Sequence, residues 1–289
     1  MPYFGAHLSI AGGFTNALDE AASLGCTALQ VFTRAPSQWS AKPIPAEAAE
    51  AFRQARAGSA VTVAAAHDSY LTNLASPSQE QYRRSAEAFL GEMHRADLLG
   101  LEYLVMHPGA YLDGTEEAGL RRVIQALDEC HARAPGLRVQ VLLENTAGQG
   151  TCLGHRFEHL QAILEGVKEP DRLGVCFDTC HAFAAGYPLW PEEQYHATMD
   201  ALNRAVGLGR VKMFHVNDSK KGLGSRVDRH AHLGQGKIGI GPFRLLLADP
   251  RFADRAMVLE TPKEEGGVAM DPVNLEVLRR LAAESGRSG

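Results

Sequence analysis

Eight short runs of apolar and β-branched residues constrain this chain more than any other feature. They cover residues 3–8, 28–33, 61–66, 103–106, 139–143, 173–177, 211–214 and 257–259. The segments between them, such as 79–99, 116–133 and 192–206, carry apolar residues every three and four positions, which predicts amphipathic helices. Most of the runs lack polar alternation, as strands covered on both faces do. Eight alternating β and α units at about 36 residues each predict an α/β chain folded as a (β/α)8 TIM barrel, one domain over residues 1–289. A doubly wound open sheet is the alternative.

The residues at the ends of these runs carry the functional signal. Run three is followed by His67, run four by His107, run five by Glu144, run six by Asp178, run seven by His215 and run eight by Glu260. Asp, Glu and His make up about one residue in six, so six such ends in eight exceeds chance. In a barrel all C-terminal strand ends open on one rim, where active sites are built. Three imidazoles and three carboxylates are the donor types that suit zinc or manganese. His181 follows Asp178 by one helical turn. Asp228 and His230, two apart, share a side of extended chain after run seven. His232 has the same parity and competes with His230. Nine candidate ligands, at three to five per ion with bridging carboxylates, suggest three ions.

Charge alone decides little about partners. The formal net charge of −5 argues mildly against nucleic acid. Three divalent ions in one pocket would reverse it locally. Five cysteines, odd in number and without a C-x-x-C pair, read as reduced thiols of a cytosolic protein. No stretch is long and apolar enough to suggest a membrane span or a signal peptide.

Other residues read as ordinary. His155 and His159, spaced i, i+4, lack the Glu of a zinc-protease motif and read as a solvated helix face. His94, His131 and His196 read as helix surface, and His7 as a residue that lines the pocket without ligating. Cys176 and Cys180 flank Asp178 and are weak thiolate candidates. The loop 219–226, with Lys220, Lys221 and Arg226, is basic and flexible and reads as a strap on phosphates.

Blocks in chain order carry a resemblance. They are Gly5-Ala6-His7-Leu8-Ser9, His67-Asp68-Ser69-Tyr70-Leu71, His107-Pro108-Gly109, Glu144-Asn145-Thr146-Ala147-Gly148-Gln149-Gly150, Asp178-Thr179-Cys180-His181-Ala182, His215-Val216-Asn217-Asp218, Asp228-Arg229-His230 and Glu260-Thr261-Pro262. In these blocks, essentially end to end, the chain resembles endonuclease IV, the metal-dependent apurinic/apyrimidinic (AP) endonucleases of DNA base-excision repair. The resemblance implies a (β/α)8 barrel with three Zn2+ ions, Mn2+ in part. One ion would be held by His67, His107 and Glu144, one by Glu144, Asp178, His215 and Glu260, and one by His181, Asp228 and His230.

It also implies the reaction: hydrolysis 5′ to an abasic site in duplex DNA, leaving 3′-hydroxyl and 5′-deoxyribose phosphate ends, with trimming of 3′-blocking groups. The partner would be damaged duplex DNA, met in the cytoplasm at the nucleoid by a monomer. Tyr70 and Leu71 match a wedge that enters the minor groove at the lesion, and Arg229 joins the basic contacts. The segment 33–39 departs from the family pattern, with Ala35 in place of Asn and Ser37 in place of an Arg that fills the lesion gap. Arg34 is the neighbouring candidate to replace that Arg. A divalent-metal sugar isomerase or epimerase is the rival enzyme reading, and a non-enzymatic DNA-binding module a third.

Overall fold

The computed structural model describes residues 2–286. Its strands, in chain order, are β1 (Tyr3–Leu8), β2 (Ala28–Phe32), β3 (Val63–His67), β4 (Tyr103–Met106), β5 (Gln140–Glu144), β6 (Leu173–Asp178), β7 (Val211–His215), β8 (Asp218–Ser219), β9 (His230–Ala231), β10 (Ala256–Leu259), β11 (Glu264–Glu265) and β12 (Val268–Ala269). The helices are α1 (Phe14–Ser23), α2 (Ala46–Ala57), α3 (Gln79–Leu98), α4 (Glu116–Arg133), α5 (Phe157–Gly166), α6 (Thr179–Ala185), α7 (Glu192–Val206), α8 (Ile240–Ala248) and α9 (Asp271–Glu284).

Strands β1 to β7 and β10 close a barrel in the order β1-β10-β7-β6-β5-β4-β3-β2, and every pairing in it is parallel. The TIM-barrel expectation holds, and the open-sheet alternative falls because β1 pairs with both β2 and β10. Closure leaves no free edge in the barrel. The hairpins β8–β9 and β11–β12 are additions to the rim.

Two apolar groups hold this architecture. The larger lies between the barrel wall and the helices, with Phe52, Phe89, Phe157, Phe214 and Phe243 fully buried. The smaller fills the barrel itself: Ala28, Ala65, Val105, Leu142, Cys176, Met213, Ala256 and Val258. Side chains alternate sides along a strand. The residue two positions after six of these eight is therefore also directed inward, one layer nearer the rim. Those positions are His67, His107, Glu144, Asp178, His215 and Glu260. Strand parity, set by filling the barrel with small and branched apolar side chains, delivers all six to one mouth.

The helices start where local chemistry dictates. Ser78 and Thr115 cap α3 and α4 by accepting the N–H groups of Gln81 and Ala118. Gly109, at φ 100°, turns the chain away after His107 where an added Cβ would meet Asn73 Oδ1 at 2.4 Å.

A candidate metal centre at the barrel mouth

Glu144 is the hub of the site. It is wholly buried at the end of β5. Its Oε2 lies 3.1 Å from the Nε2 atoms of both His67 and His107. Its Oε1 lies 3.0 Å from His215 Nδ1 and 3.1 Å from His181 Nδ1. A second group adjoins the first: donor atoms of Glu144, Asp178, His215 and Glu260 lie within 4.8 Å of one another, as do those of His67, His107 and Glu144. At a third corner the Asp228 carboxylate sits 3.2 Å from His181 Nε2 and 3.3 Å from His230 Nε2. Asp178 Oδ2 is 3.7 Å from His230 Nε2, which joins that corner to the rest. All nine sequence-proposed ligands are thus placed around one mouth.

Local structure aims these side chains. Asp178 caps α6, its Oδ1 accepting the His181 N–H at 2.7 Å, so one carboxylate oxygen starts the helix and the other is left to the site. That oxygen also accepts from Asn217 Nδ2 at 2.7 Å, while Asn217 Oδ1 accepts the Glu260 N–H. Asn145 accepts the Asp178 N–H and donates to its carbonyl. Asp218, fully buried, accepts N–H groups from Ser219, Gly234, Gly236, Ile238 and Gly239. This pins the rim hairpin β8–β9 that carries His230. Sequence reading quoted Asn145, Asn217 and Asp218 within the blocks that carry the resemblance but gave them no role of their own.

The charge state fits a cationic occupant. Burial disfavours charge on Glu144 and Glu260, but the surrounding histidines outweigh it and hold both carboxyls well below the usual range. Burial likewise opposes protonation of His181 and His215, yet Asp178, Asp228 and Glu144 raise His181, and Cys176, Glu260 and Glu144 raise His215, well above an ordinary imidazole. Asp228, paired with His181, is held at about 2. The buried His230 Nε2 faces the Asp228 and Asp178 carboxylates without a well-formed hydrogen bond to either, as a nitrogen aimed at an ion among them would. Imidazole nitrogens and carboxylate oxygens in these groups suit divalent zinc or manganese.

Several neighbours differ from their sequence reading. His232 does not compete with His230: it is buried against Asn274, with Nδ1 3.0 Å from the Asn274 amide, because the chain leaves extended geometry after Ala231. His159 is buried, not solvated. Its Nδ1 accepts the Gly154 N–H, and its Nε2 faces Glu116 and Arg156. Glu116, His155 and His159 lie close enough to hold an ion. Both ring nitrogens of His159 are, however, already engaged, Nδ1 by the Gly154 N–H and Nε2 by Arg156 Nε and Glu116. His131 is also buried, on the inner side of α4. His7 lines the mouth as expected, its Nδ1 3.2 Å from Glu260 Oε1. Burial pushes the thiols of Cys176 and Cys180 up to about 12, although Cys180 does lie within reach of Asp228 and His230.

Outside the ligands, a cavity of about 620 Å³ opens between His7, Phe32, Tyr70, His230, Glu260 and Lys263. A hollow of about 480 Å³ at the opposite end, by Glu102, Arg138 and Arg172, touches none of the ligands. Tyr70 stands 70% exposed beside this mouth, its ring edge-on to Phe32 at 5.3 Å. Leu71 is half-buried, and Ser69 ties the loop of both residues to the Pro36 carbonyl at 2.6 Å. Arg34 does not reach outward to replace a gap-filling Arg. It is buried, its Nε donating to Glu92 at 2.6 Å and its Nη1 to the carbonyls of Gln38 and Trp39. Lys220, Lys221, Arg226 and Arg229 are all exposed. Their loop is fastened by N–H donation from Gly224 and Arg226 to the carbonyls of Phe183 and Ala184 on α6.

Known proteins resemble this chain to different depths. Residues 18–281 match the sequence model of a family described as a Xylose isomerase-like TIM barrel. A protein of Chloroflexus aurantiacus named "Probable endonuclease 4" is 50% identical over 97% of this chain and 98% of its own length. The crystal structure of endonuclease IV from Thermus thermophilus superposes with a TM-score of 0.87 at 43% identity, over 98% of this chain and all of that one. A D-tagatose 3-epimerase-like protein superposes with a TM-score of 0.74 at 20% identity, over 98% of both chains, a likeness of fold alone.

Proposed function

The chain belongs to the endonuclease IV family, and from that premise we propose that it incises duplex DNA on the 5′ side of abasic sites, leaving 3′-hydroxyl and 5′-deoxyribose phosphate ends. It is a DNA-repair nuclease by kinship; the cut, the three-ion centre and the residue roles are our reading. The observation that supports it most is the meeting of His67, His107, His181 and His215 on the one carboxylate of Glu144.

In this reading His67, His107 and Glu144 hold one ion. Glu144, Asp178, His215 and Glu260 hold a second, and His181, Asp228 and His230 a third. Such ions, when bound, lower the pKa of water and neutralise phosphate charge. The remaining work belongs to the chain. Water adds to phosphorus, the bond from phosphorus to the 3′-oxygen breaks, and that oxygen takes a proton. Glu144 and Asp178, wholly buried, are positioned by strand ends and by Asn145 and Asn217. They therefore keep their geometry through the displacement at little cost in reorganisation. Tyr70 is placed to enter the groove at the lesion, where a nucleotide without a base flips out of the stack cheaply. The same centre would trim 3′-blocking groups. Among the described residues no helix is long and apolar enough to cross a membrane. We assign the enzyme to the cytoplasm and nucleoid, as a monomer.

The test is incision of a duplex bearing one tetrahydrofuran abasic analogue. Zinc-loaded protein should yield a product ending in 3′-hydroxyl. Glu144→Gln should bind the duplex but cut it at least about 10–100-fold more slowly, the loss that even an outer-shell partner of a metal typically costs. Isomerisation of a keto-sugar with no incision would place the chain with the epimerases instead.

A further inference from the structure

Strands β1 and β2 end without a ligand, yet both send a polar side chain to the centre. Gln30 lies in the middle of β2, fully buried, level with His7 across the β1–β2 pairing. It sits one inward layer above Ala28 of the barrel interior. A buried carboxamide with unpaired groups is destabilising. Apolar side chains fill the layer beneath, so a polar residue here needs partners, and the ones it has belong to the proposed cation cage. Gln30 Nε2 is 2.6 Å from Glu260 Oε1 and 3.0 Å from His7 Nδ1. Gln30 Oε1 is 2.8 Å from His215 Nε2.

These contacts have one consistent assignment. The Glu260 carboxylate can only accept, so the amide NH2 faces Glu260 and the amide oxygen faces His215. The oxygen in turn requires a donor. His215 therefore carries its proton on Nε2 and presents Nδ1 to the opposite side. There Glu144 Oε1 lies at 3.0 Å, Glu260 Oε2 at 3.2 Å and Asp178 Oδ2 at 4.0 Å. One amide thus selects the ring nitrogen that His215 offers and fixes the rotation of the Glu260 carboxylate.

We propose that Gln30 is a positioning residue for the ion shared by Glu144, Asp178, His215 and Glu260, presetting two of its four ligands from beneath. The proposal rests on the metal-centre reading above. Partners of this kind typically change metal affinity 10–100-fold.

The experiment uses the full chain and zinc alone. Wild type and Gln30→Met, an unbranched apolar replacement, are stripped of metal and titrated with zinc against a chromophoric chelator. The His215 Nε2–H of the zinc-loaded proteins is followed by proton–nitrogen NMR. One zinc site should weaken about 10–100-fold in Gln30→Met while the others hold, and the His215 Nε2–H should lose its protection from exchange. Gln30→Glu keeps an acceptor for His215 but removes the donor to Glu260. Its His215 proton should stay protected while the same zinc site still weakens. Full zinc affinity in Gln30→Met, with only the metal-free melting temperature lowered, overturns the proposal and makes Gln30 a core filler. Full affinity in Gln30→Glu overturns the Glu260 arm. A wild type that binds no zinc ends the metal-centre reading and this proposal together, which the wild-type titration separates from failure of the Gln30 role alone.

Discussion

Tyr70 is the largest side chain at the mouth left mainly to solvent, at 70% exposure, while its neighbour Leu71 is half-buried. An aromatic ring held edge-on to Phe32, tilted beside His67 and mainly exposed is suited to stack on a base or fill a gap. Tyr70→Ala should reduce the preference for abasic over intact duplex by about 1–3 kcal/mol, the usual worth of one such stack, and leave the zinc content unchanged. Fluorescence anisotropy with both duplexes, beside elemental analysis, checks this. Arg34 teaches the opposite lesson at the same scale. Its position in the chain suggested an outward-reaching guanidinium, but Glu92, 58 residues away, holds it inside. Nothing near Arg34 in sequence announces that partner.

Two segments behave as units. The stretch from Thr33 to Trp39 is gripped from below: Thr33 and Arg34 bond the two oxygens of Glu92, and Arg95 donates to Thr33 Oγ1 at 2.8 Å. Both side chains of the Arg34–Glu92 pair are less than 10% exposed. Removing one partner of such a pair leaves a buried charge uncompensated, at a cost of about 3–5 kcal/mol. Glu92→Ala should lower unfolding stability by that amount, read from urea midpoints. It should also loosen the rim loop, read as faster hydrogen exchange at Gln38 and Trp39. The hairpin loop with Lys220 and Lys221 is anchored at its base and charged at its exposed end. Changing both lysines to Ala should weaken binding to all duplexes alike and reduce the slope of log affinity against log salt by about 1 per lost phosphate contact. An unchanged slope would remove the loop from the DNA interface.

For the whole molecule, pH reaches stability through buried histidines remote from the mouth. His131, buried on α4 with both ring nitrogens unpartnered, is pushed down to about 4, chiefly by burial and then by Arg172. A histidine with a lowered folded pKa lets the unfolded chain bind more protons in acid. Its contribution is therefore complete above about 6.5 and is lost as pH falls from there to about 4. His131→Leu should keep wild-type stability at pH 7.5 within about 1 kcal/mol and flatten the loss between pH 6.5 and 4.5. Urea melts of the metal-free proteins at three pH values measure both.

The sequence by itself determined the barrel and marked all nine candidate ligands, six of them at the ends of the apolar runs. Eight apolar runs can be buried on both faces in few ways, and a polar residue at the end of such a run stands at the rim whatever else the chain does. The pairs 178/181 and 228/230 were legible for the same local reason, since one helical turn or two extended residues fix which way they face. Only the tertiary structure decided that Glu144 is the carboxylate four histidines share. It likewise decided that His232 turns to Asn274 while His230 turns inward, that Arg34 is spent on Glu92, and that Gln30 reaches the site from a strand with no ligand at its end. Each is a contact between residues far apart in sequence, set by how the closed barrel brings its strands level and packs its helices and rim loops around them. Local periodicity records the direction of a side chain along its own strand and carries nothing about which other strand will meet it.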